Sequence, residues 1–321
     1  GKGRPAWEPG MLKSVKAIGW FIEEYGVAQI SMNLTDISVT SIHAAFDAAV
    51  ERAAARGMRV TGSEIVGLVP LRAMLEAGRH YLRKQHRSTG VPDRELVKIA
   101  VRSMGLDDLT PFHPDEKVIE YRLDGDGGRL AGLGVREFVE ETASESPAPG
   151  GGSVSALAGA LGAGLGSMVA NLSSHRRGWD DRWEEFSDWA ERGKVLYEHL
   201  LALVDEDTAA FDGILAAHRM PAGDDEEQTA HAEAIAAATL RAIEVPLDVM
   251  ETAVAAFEVL AAMADTGLES SVSDAGVGAL LAAAAVRGAG LNVRINATGL
   301  DDGASLIARA ERSPAPAWTG E

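Results

Sequence analysis

The sequence contains no cysteine, and this absence excludes several kinds of chemistry. Disulfide bridges, thiolate nucleophiles and cysteine-ligated zinc cannot form. A chain without cysteine is typical of a reducing compartment, and we therefore expect a cytoplasmic protein. The eight histidines show no HExxH or similar spacing, so no metal site is predicted. The P-loop, the GxSxG turn of hydrolases and the glycine spacing of a dinucleotide-binding turn are absent too.

Basic residues are few compared with acidic ones. The chain has 30 Lys and Arg against 48 Asp and Glu, which gives a net charge of −18. A nucleic-acid-binding protein needs clustered basic residues to neutralise phosphates, so we expect no nucleic-acid partner. A polyanionic substrate would have to be attracted by a local basic patch.

The start of the chain shows neither a signal peptide nor an initiator Met. Residues 1–10 are rich in Gly and Pro and lack an apolar core, and the missing Met is expected of a fragment or a processed product. Two apolar stretches, Ser153–Leu172 and Asp274–Leu291, have about the length of a membrane span. Gly162 and Gly166 in the first stretch fit either a membrane dimer or a close helix contact in a soluble bundle. We interpret both stretches as buried core helices and expect no membrane.

With 321 residues the chain is long enough for two domains, and its pattern changes at the Gly-rich segment 124–129. Strand and helix signals alternate before this segment, which predicts an α+β or α/β domain over 1–123. Its predicted elements are a strand over Val27–Leu34, a helix from Thr40 or Ser41 to about Arg56, a strand near Met58–Thr61, helices over 70–84 and 92–104, and a strand over Lys117–Leu123.

The second part of the chain shows helical signals. Together they predict an all-α bundle over 134–312, joined to the first domain by a linker at 124–133. Pro246 lies inside the fourth segment and is expected to kink or restart it. Residues 313–321 are expected to form a disordered tail. The five helical segments are 135–142, 153–172, about 180–218, about 225–263 and 274–290.

The most informative stretch runs from Ser146 to Ser153 and reads Ser-Pro-Ala-Pro-Gly-Gly-Gly-Ser. The N–H groups of Gly150, Gly151 and Gly152 can approach a ligand closely because these residues carry no side chain. Ser153 is a good N-cap for the helix that follows, and the first turn of a helix attracts anions. This pattern predicts a cradle for a carboxylate or a carbonyl-bearing ring. The alternative is a loop that only starts a tightly packed helix.

Asp207 is the most suggestive single residue. It falls on the apolar stripe of its helix, between Val204 and Phe211. A carboxylate there needs a partner, and desolvation would raise its pKa toward values useful in acid–base catalysis. Asp205 lies about 200° round the helix, so the two carboxylates cannot face one site. The alternative is a structural role for Asp207, as a cap or in a pair with an arginine.

Two further pairs of polar residues are candidates for binding. Arg176 and Arg177 directly follow the Gly-rich helix and are notable in so acidic a chain. Their alternative is a charge pair at the surface end of a helix. Asn292 and Asn296 are four residues apart and share one helical face, which is a weak signal alone.

Taken in order, these segments resemble the formimidoyltransferase-cyclodeaminase family, folate enzymes of histidine breakdown. The resemblance covers nearly the whole chain, and the order of its motifs is specific. In the first domain it rests on Ala17–Trp20, Ala28–Leu34, Thr61–Pro70 and Leu109–Tyr121. In the second domain it rests on Ser146–Ala156, Met168–Leu172, Arg176-Arg177, Val204–Phe211, Val245–Leu247, Ser273-Asp274 and Leu291–Asn296.

The resemblance implies a fold and a reaction. It implies a ferredoxin-like α+β domain that is part of a formiminotransferase, followed by an all-α helical-bundle cyclodeaminase domain. The substrate would be a tetrahydrofolate, polyglutamylated and carrying a formimino group on N5. The product would be 5,10-methenyltetrahydrofolate, with release of ammonia and no cofactor beyond the folate. A homo-oligomer is implied as well, either a dimer or a ring of dimers with sites between subunits.

The resemblance also implies roles for the candidate residues. Asp207 would transfer protons in the reaction. The glycine turn Gly150–Ser153 and Asn171 would hold the pterin or the amide, and Arg176 and Arg177 the glutamate tail. The remaining residues implied to contact substrate are Asp274, Asn292, Asn296 and Glu64.

The chain also departs from the family. The transferase half that holds the catalytic histidine is missing, so Glu64 has no counterpart to face, and a separate N-terminal transferase chain is a possible partner. Leu268 stands where the family usually has asparagine, and the C-terminal helix is shorter than the family's. Two other functions stay open: a methenyltetrahydrofolate cyclohydrolase, and a non-catalytic folate-binding or assembly module.

Overall fold

The computed structural model describes residues 10–24, 26–123, 130–298 and 303–311. It is mostly helical, with one small two-stranded sheet near the N-terminus. The contacts divide the chain into two compact units, Gly1–Gln85 with Pro92–Gly125 and His86–Val91 with Asp126–Glu321. The short segment His86–Val91 therefore belongs to the second unit, although it comes from the middle of the first in sequence.

The first unit begins with a β-hairpin and continues with helices. Strands β1 (Val15–Ile22) and β2 (Val27–Leu34) pair antiparallel, with Val15 opposite Leu34 and Ile22 opposite Val27. The helices that follow are α1 (Ile42–Ala54), α2 (Leu71–Lys84), α3 (Asp93–Ser103), α4 (Pro114–Lys117) and α5 (Ile119–Leu123).

The predicted helices of the first unit are confirmed. Ser41 caps α1, and its hydroxyl accepts the Ala44 N–H at 3.4 Å. Helices α2 and α3 approach closely because residue 78 is glycine, where a Cβ would lie 2.2 Å from the Leu96 carbonyl oxygen. The fully buried side chains Met74, Leu96 and Val118 contribute to the core of this unit.

Two predicted strands are wrong. Residues 58–61 form neither strand nor helix, and Lys117–Leu123 covers the end of α4 and the short helix α5. The apolar run there meets the rest of the unit through a single parallel bridge between Val69 and Val118. A strand is stable only when it is paired, and a single bridge is too little to keep 117–123 extended. Strand β1 was not predicted.

The second unit is a bundle of long helices. Helix α7 packs against α8, α9 and α10, and α10 packs against α9. Helices α7 and α10 approach closely at Gly162, because a Cβ there would lie 2.7 Å from the Gly278 carbonyl oxygen. The helices are α6 (Val135–Thr142), α7 (Gly151–Ser174), α8 (Trp183–His218), α9 (Asp225–Thr266), α10 (Val272–Ala297) and α11 (Gly303–Glu311).

Two helical stretches, Gly151–Ser174 and Glu269–Ala297, are long and apolar enough to cross a membrane by length and composition alone. In the first stretch 61% of the most apolar part is buried inside the bundle, and in the second stretch 39%. Core helices of soluble proteins meet the same criteria of length and composition. Residues 124–129 of the predicted linker 124–133 and the whole predicted tail 313–321 lie outside the described residues.

Helix α9 continues through Pro246 without a break, so the expected restart is wrong. Proline has no N–H, and the Ala242 carbonyl one turn earlier therefore loses its helical donor. The Asn296 side chain of α10 donates an N–H to this carbonyl at 2.8 Å. Asn296 thus repairs the hydrogen bond that Pro246 removes.

We expect Asn296→Ala to lower the free energy of unfolding by about 1–3 kcal/mol, because the Ala242 carbonyl is buried and would lose its donor. Pro246→Ala in the same background restores a backbone N–H and should recover the loss. Urea unfolding of the two variants measures this, with Asn292→Ala as a control on the same helix. A double variant no more stable than Asn296→Ala would contradict the explanation.

Candidate functional site

The Asp207 carboxylate lies at the first turn of α7. Its Oδ2 atom accepts two hydrogen bonds from Ser153, one from the backbone N–H at 2.8 Å and one from the hydroxyl at 2.9 Å. The Ser153 hydroxyl lies 3.3 Å from the Thr208 hydroxyl and is fully buried with its residue. The other oxygen, Oδ1, accepts no hydrogen bond from the described residues. Asp207 therefore has one fixed oxygen and one available oxygen.

The glycine turn allows this approach. A Cβ on residue 152 would lie 2.1 Å from Asp207 Oδ1, far inside contact distance, so any other residue there would force the carboxylate to move. Helix α7 begins at Gly151 with Gly150 as its N-cap, so the expected N-cap role of Ser153 is wrong. Ser153 instead occupies the third helical position, and its N–H points at the carboxylate. The cradle predicted for an external anion is thus partly filled by Asp207 of the same chain.

Burial dominates the electrostatics of Asp207. Desolvation raises the pKa of its carboxyl above the ordinary value, and the two hydrogen bonds from Ser153 only partly oppose this effect. No described arginine pairs with Asp207, so the structure does not support the alternative in which Asp207 forms an ion pair with an arginine. The carboxylate does cap α7, but a cap that keeps an available oxygen and a raised pKa is also suited to proton transfer.

Neighbouring residues complete the surroundings of the turn. Asp205 points elsewhere, as expected, and accepts the N–H groups of Leu130 at 2.7 Å and Ala131 at 3.4 Å. Asn292 of α10 borders the turn, since a Cβ on Gly151 would lie 3.4 Å from its amide nitrogen. We call the group of Asp207, Asn292 and Gly150–Ser153 the carboxylate end of the bundle.

Other predicted site residues lie at the opposite end of α7. Asn171 is 19 residues beyond Gly152 on the same helix, which is about 28 Å along its axis. Arg176 and Arg177 follow the end of α7 and are exposed, and Arg176 stacks on Trp179 with its guanidinium carbon 4.5 Å from the ring centre. Within one chain the glycine turn and Asn171 therefore cannot hold the same ring. Their common contact with the substrate stays a prediction, and it would need two chains.

Asp274 also belongs to this opposite end. It lies in the first turn of α10, which runs antiparallel to α7, as the pairing of Gly151 with Asn292 and of Gly162 with Gly278 shows. At the same end, the Leu268 N–H donates to the Ser173 hydroxyl at 2.9 Å. We call the group of Asn171, Arg176, Arg177 and Asp274 the arginine end.

The two remaining predicted residues are outside both groups. Glu64 is an exposed residue of the first unit, in the segment between α1 and α2. Asn296 is engaged with the Ala242 carbonyl, so its predicted contact with substrate stays a prediction. Among the described residues, no three His, Cys, Asp or Glu side chains converge as metal ligands.

The sequence reasoning missed the clamp that Ser153 forms on Asp207. The two residues are 54 positions apart, and no local pattern connects them. It also missed the segment His86–Val91, which contacts the helical unit through Thr89 and Gly90. No sequence signal marks that segment.

Comparisons with known proteins agree with this architecture. A formiminotransferase-cyclodeaminase family model matches residues 134–312, and a formiminotransferase domain model matches 1–124. The formimidoyltransferase-cyclodeaminase of Mus musculus is 37% identical over 303 residues, 94% of this chain and 56% of the relative. The chain thus spans about half the length of the curated relatives of this name.

Two shorter proteins match about half of this chain. A methenyltetrahydrofolate cyclohydrolase from Methylorubrum extorquens is 36% identical over 168 residues, 52% of this chain and 81% of the relative. The solved structure of a formiminotetrahydrofolate cyclodeaminase from Thermotoga maritima covers 56% of this chain and 89% of its own, with 26% identity and a TM-score of 0.49. The family model for the second unit alone matches more than half of the sequence. The chain therefore belongs to the formiminotransferase-cyclodeaminase family.

Proposed function

We propose that this protein is a formimidoyltetrahydrofolate cyclodeaminase, an ammonia-lyase that converts 5-formimidoyltetrahydrofolate to 5,10-methenyltetrahydrofolate. The observation that carries the proposal is the Asp207 carboxylate at the glycine turn, with Oδ1 available and its pKa raised by burial. Membership of the family supports the choice of a folate substrate.

The reaction needs proton transfer and positioning. N10 of the folate attacks the carbon of the protonated formimino group, a tetrahedral intermediate forms, and the nitrogen of the formimino group leaves as ammonia. Asp207 would accept the proton from N10 and return one to the leaving nitrogen through Oδ1, while Ser153 holds Oδ2 still. Both reacting groups belong to one molecule, so correct orientation supplies much of the acceleration. Nothing is oxidised or reduced, and we propose no cofactor beyond the folate and a reducing, cytoplasmic location.

The separation of the two ends supports a homo-oligomer. A folate whose pterin contacts Asp207 cannot place its p-aminobenzoyl amide at Asn171 of the same chain, about 28 Å along α7. Helix α7 has no charged residue and exposes Leu161 and Leu172, and the adjacent α10 exposes Leu280 and Leu291. Such a face favours packing against a second copy. An antiparallel arrangement would bring the carboxylate end of one chain to the arginine end of its partner.

The first unit would be the C-terminal half of a ferredoxin-like formiminotransferase fold. Its hairpin exposes Ile18, Phe21 and Ile30, and a two-stranded hairpin is stable only when it packs on something else. A further part of the transferase fold, in the same protein or in a separate chain, would cover this surface. We propose that Glu64 acts in formimino transfer only together with that further part.

A methenyltetrahydrofolate cyclohydrolase is the second candidate, because a relative of that name is 36% identical over 168 residues of this chain. The two activities differ in their products, since only the cyclodeaminase releases ammonia.

We expect the purified protein to release one ammonia for each methenyltetrahydrofolate formed from 5-formimidoyltetrahydrofolate. An enzyme-coupled ammonia assay and methenyl absorbance, followed in parallel, measure both products. Loss of methenyltetrahydrofolate absorbance without ammonia release would identify the cyclohydrolase instead. Folate binding without either product would identify a non-catalytic module, and the mass in solution would test the oligomer.

A further inference from the structure

The segment His86–Val91 lies in the stretch that matches the formiminotransferase model, yet it is built into the helical unit. Ser88 and Thr89 are fully buried there. The Thr89 N–H donates to the Ser187 hydroxyl at 3.0 Å, and the Thr89 hydroxyl donates to Glu191. The segment is therefore an internal part of the bundle, and not a loop that passes over it.

Gly90 brings the segment against α7 and α8. A Cβ on Gly90 would lie 2.4 Å from the Ala190 carbonyl carbon, so only glycine allows this approach. The Gly90 carbonyl accepts the side-chain N–H of Asn171 at 3.0 Å. Because the carbonyl needs a donor, it fixes which end of the Asn171 amide is nitrogen.

The other end of that amide is unsatisfied. Asn171 Oδ1 is buried and has no hydrogen-bond partner among the described residues. Buried polar atoms in native proteins are nearly always paired, so a buried acceptor held in place without a donor points to a ligand that supplies one. Gly90 holds the amide in this orientation through its carbonyl.

Three arginines belong to the two segments that meet where Gly90 contacts Asn171. Arg87 belongs to the same segment, and Arg176 and Arg177 follow the end of α7; none of the three pairs with a carboxylate among the described residues. Burial lowers the pKa of the His175 imidazole, and the charge of Arg87 lowers it further. Arg87 therefore lies near His175. In a chain of net charge −18, three arginines without acidic partners form a local site for anions.

We propose that the segment His86–Val91 contributes to the folate site and helps to bind the p-aminobenzoylglutamate portion of the substrate. Asn171 Oδ1 accepts the amide N–H of that portion, Gly90 positions Asn171, and Arg87 joins Arg176 and Arg177 in binding the glutamate carboxylates. This inference rests on the proposed function and adds to it a contribution from the transferase-matched stretch.

The first test is Arg87→Gln in the full chain, with binding measured by isothermal titration calorimetry. The probes are 5-formyltetrahydrofolate, which carries the glutamate, and tetrahydropterin, which lacks it. We expect about tenfold weaker binding of the first probe and unchanged binding of the second. The matched control is Arg102→Gln, an exposed arginine of α3 in the same transferase-matched stretch, which should bind like the parent. Equal binding by Arg87→Gln and the parent would overturn the role of Arg87.

The second test separates a positioning role of Gly90 from general damage. Gly90→Ala and Asn171→Ala should each weaken 5-formyltetrahydrofolate about tenfold, and the double variant should be no worse than either, because Gly90 acts through Asn171. Additive losses, or equal losses for tetrahydropterin, would overturn the positioning role. If the parent releases ammonia but these variants bind normally, this inference alone fails. If the parent binds neither probe, the proposed function fails with it.

Discussion

Asp207→Asn should release ammonia from 5-formimidoyltetrahydrofolate at least 100-fold more slowly than the parent, given the about 10²–10⁴-fold usual for general acid–base catalysis. The amide keeps the shape of the carboxylate and still accepts the two hydrogen bonds from Ser153, but it cannot carry the transferred proton. We expect kcat to fall while the affinity for 5-formyltetrahydrofolate changes little. The coupled ammonia assay and calorimetry measure the two effects.

Asp205→Asn is the matched control, since this carboxylate lies two positions away and holds Leu130 and Ala131 instead. It should keep the parent's kcat and lose only stability. Asp207→Asn should melt no lower than the parent at neutral pH. The folded state raises the pKa of Asp207, so the stability that this group contributes is present at low pH and is lost as pH rises through the folded-state pKa. Near-normal turnover by Asp207→Asn would remove the residue from catalysis.

Gly152→Ala should be as inactive as Asp207→Asn for a different reason. Its new methyl group would lie 2.1 Å from the present position of Asp207 Oδ1, so the carboxylate would have to move away from the turn. We therefore expect the bond between Ser153 and Asp207 to break and kcat to fall at least 100-fold, in line with the loss of the base. The coupled ammonia assay measures this.

Gly164→Ala is the control for this change, because it lies on the same helix and a Cβ there meets nothing within 4 Å. Alanine is the better helix former by about 1 kcal/mol, so Gly164→Ala should raise the melting temperature slightly and leave kcat unchanged. Both variants are compared by thermal unfolding as well as by turnover. Full activity in Gly152→Ala would show that the carboxylate is not confined by the turn.

Sequence patterns predicted most helices of the second unit but only some of the elements of the first unit. Val27–Leu34 alternates cleanly between apolar and polar residues and was predicted to its exact bounds. The strand predicted over Lys117–Leu123 was wrong because a short apolar run fits a strand or a helix equally well. Which of the two forms depends on whether a neighbouring strand offers an edge for pairing. Strand β1 contains Gly19 and a run of apolar residues without alternation, so its own sequence gives no strand signal.

The candidate site was predictable in its residues but not in its arrangement. The position of Asp207 on an apolar stripe was sufficient to single it out. Its bond to Ser153 depends on how α7 and α8 cross, which periodicity does not encode. The distance between the glycine turn and Asn171, in contrast, follows from helix length alone. The order of the motifs gives no distance between them, since two motifs can lie at opposite ends of one helix.

The length of α7 has a consequence for control of the enzyme. If one catalytic centre draws its base from one chain and its anion-binding groups from another, a lone chain holds two half-centres, neither of which can act. Turnover would then be switched on by association itself, and dissociation would silence both halves together without any dedicated inhibitory segment.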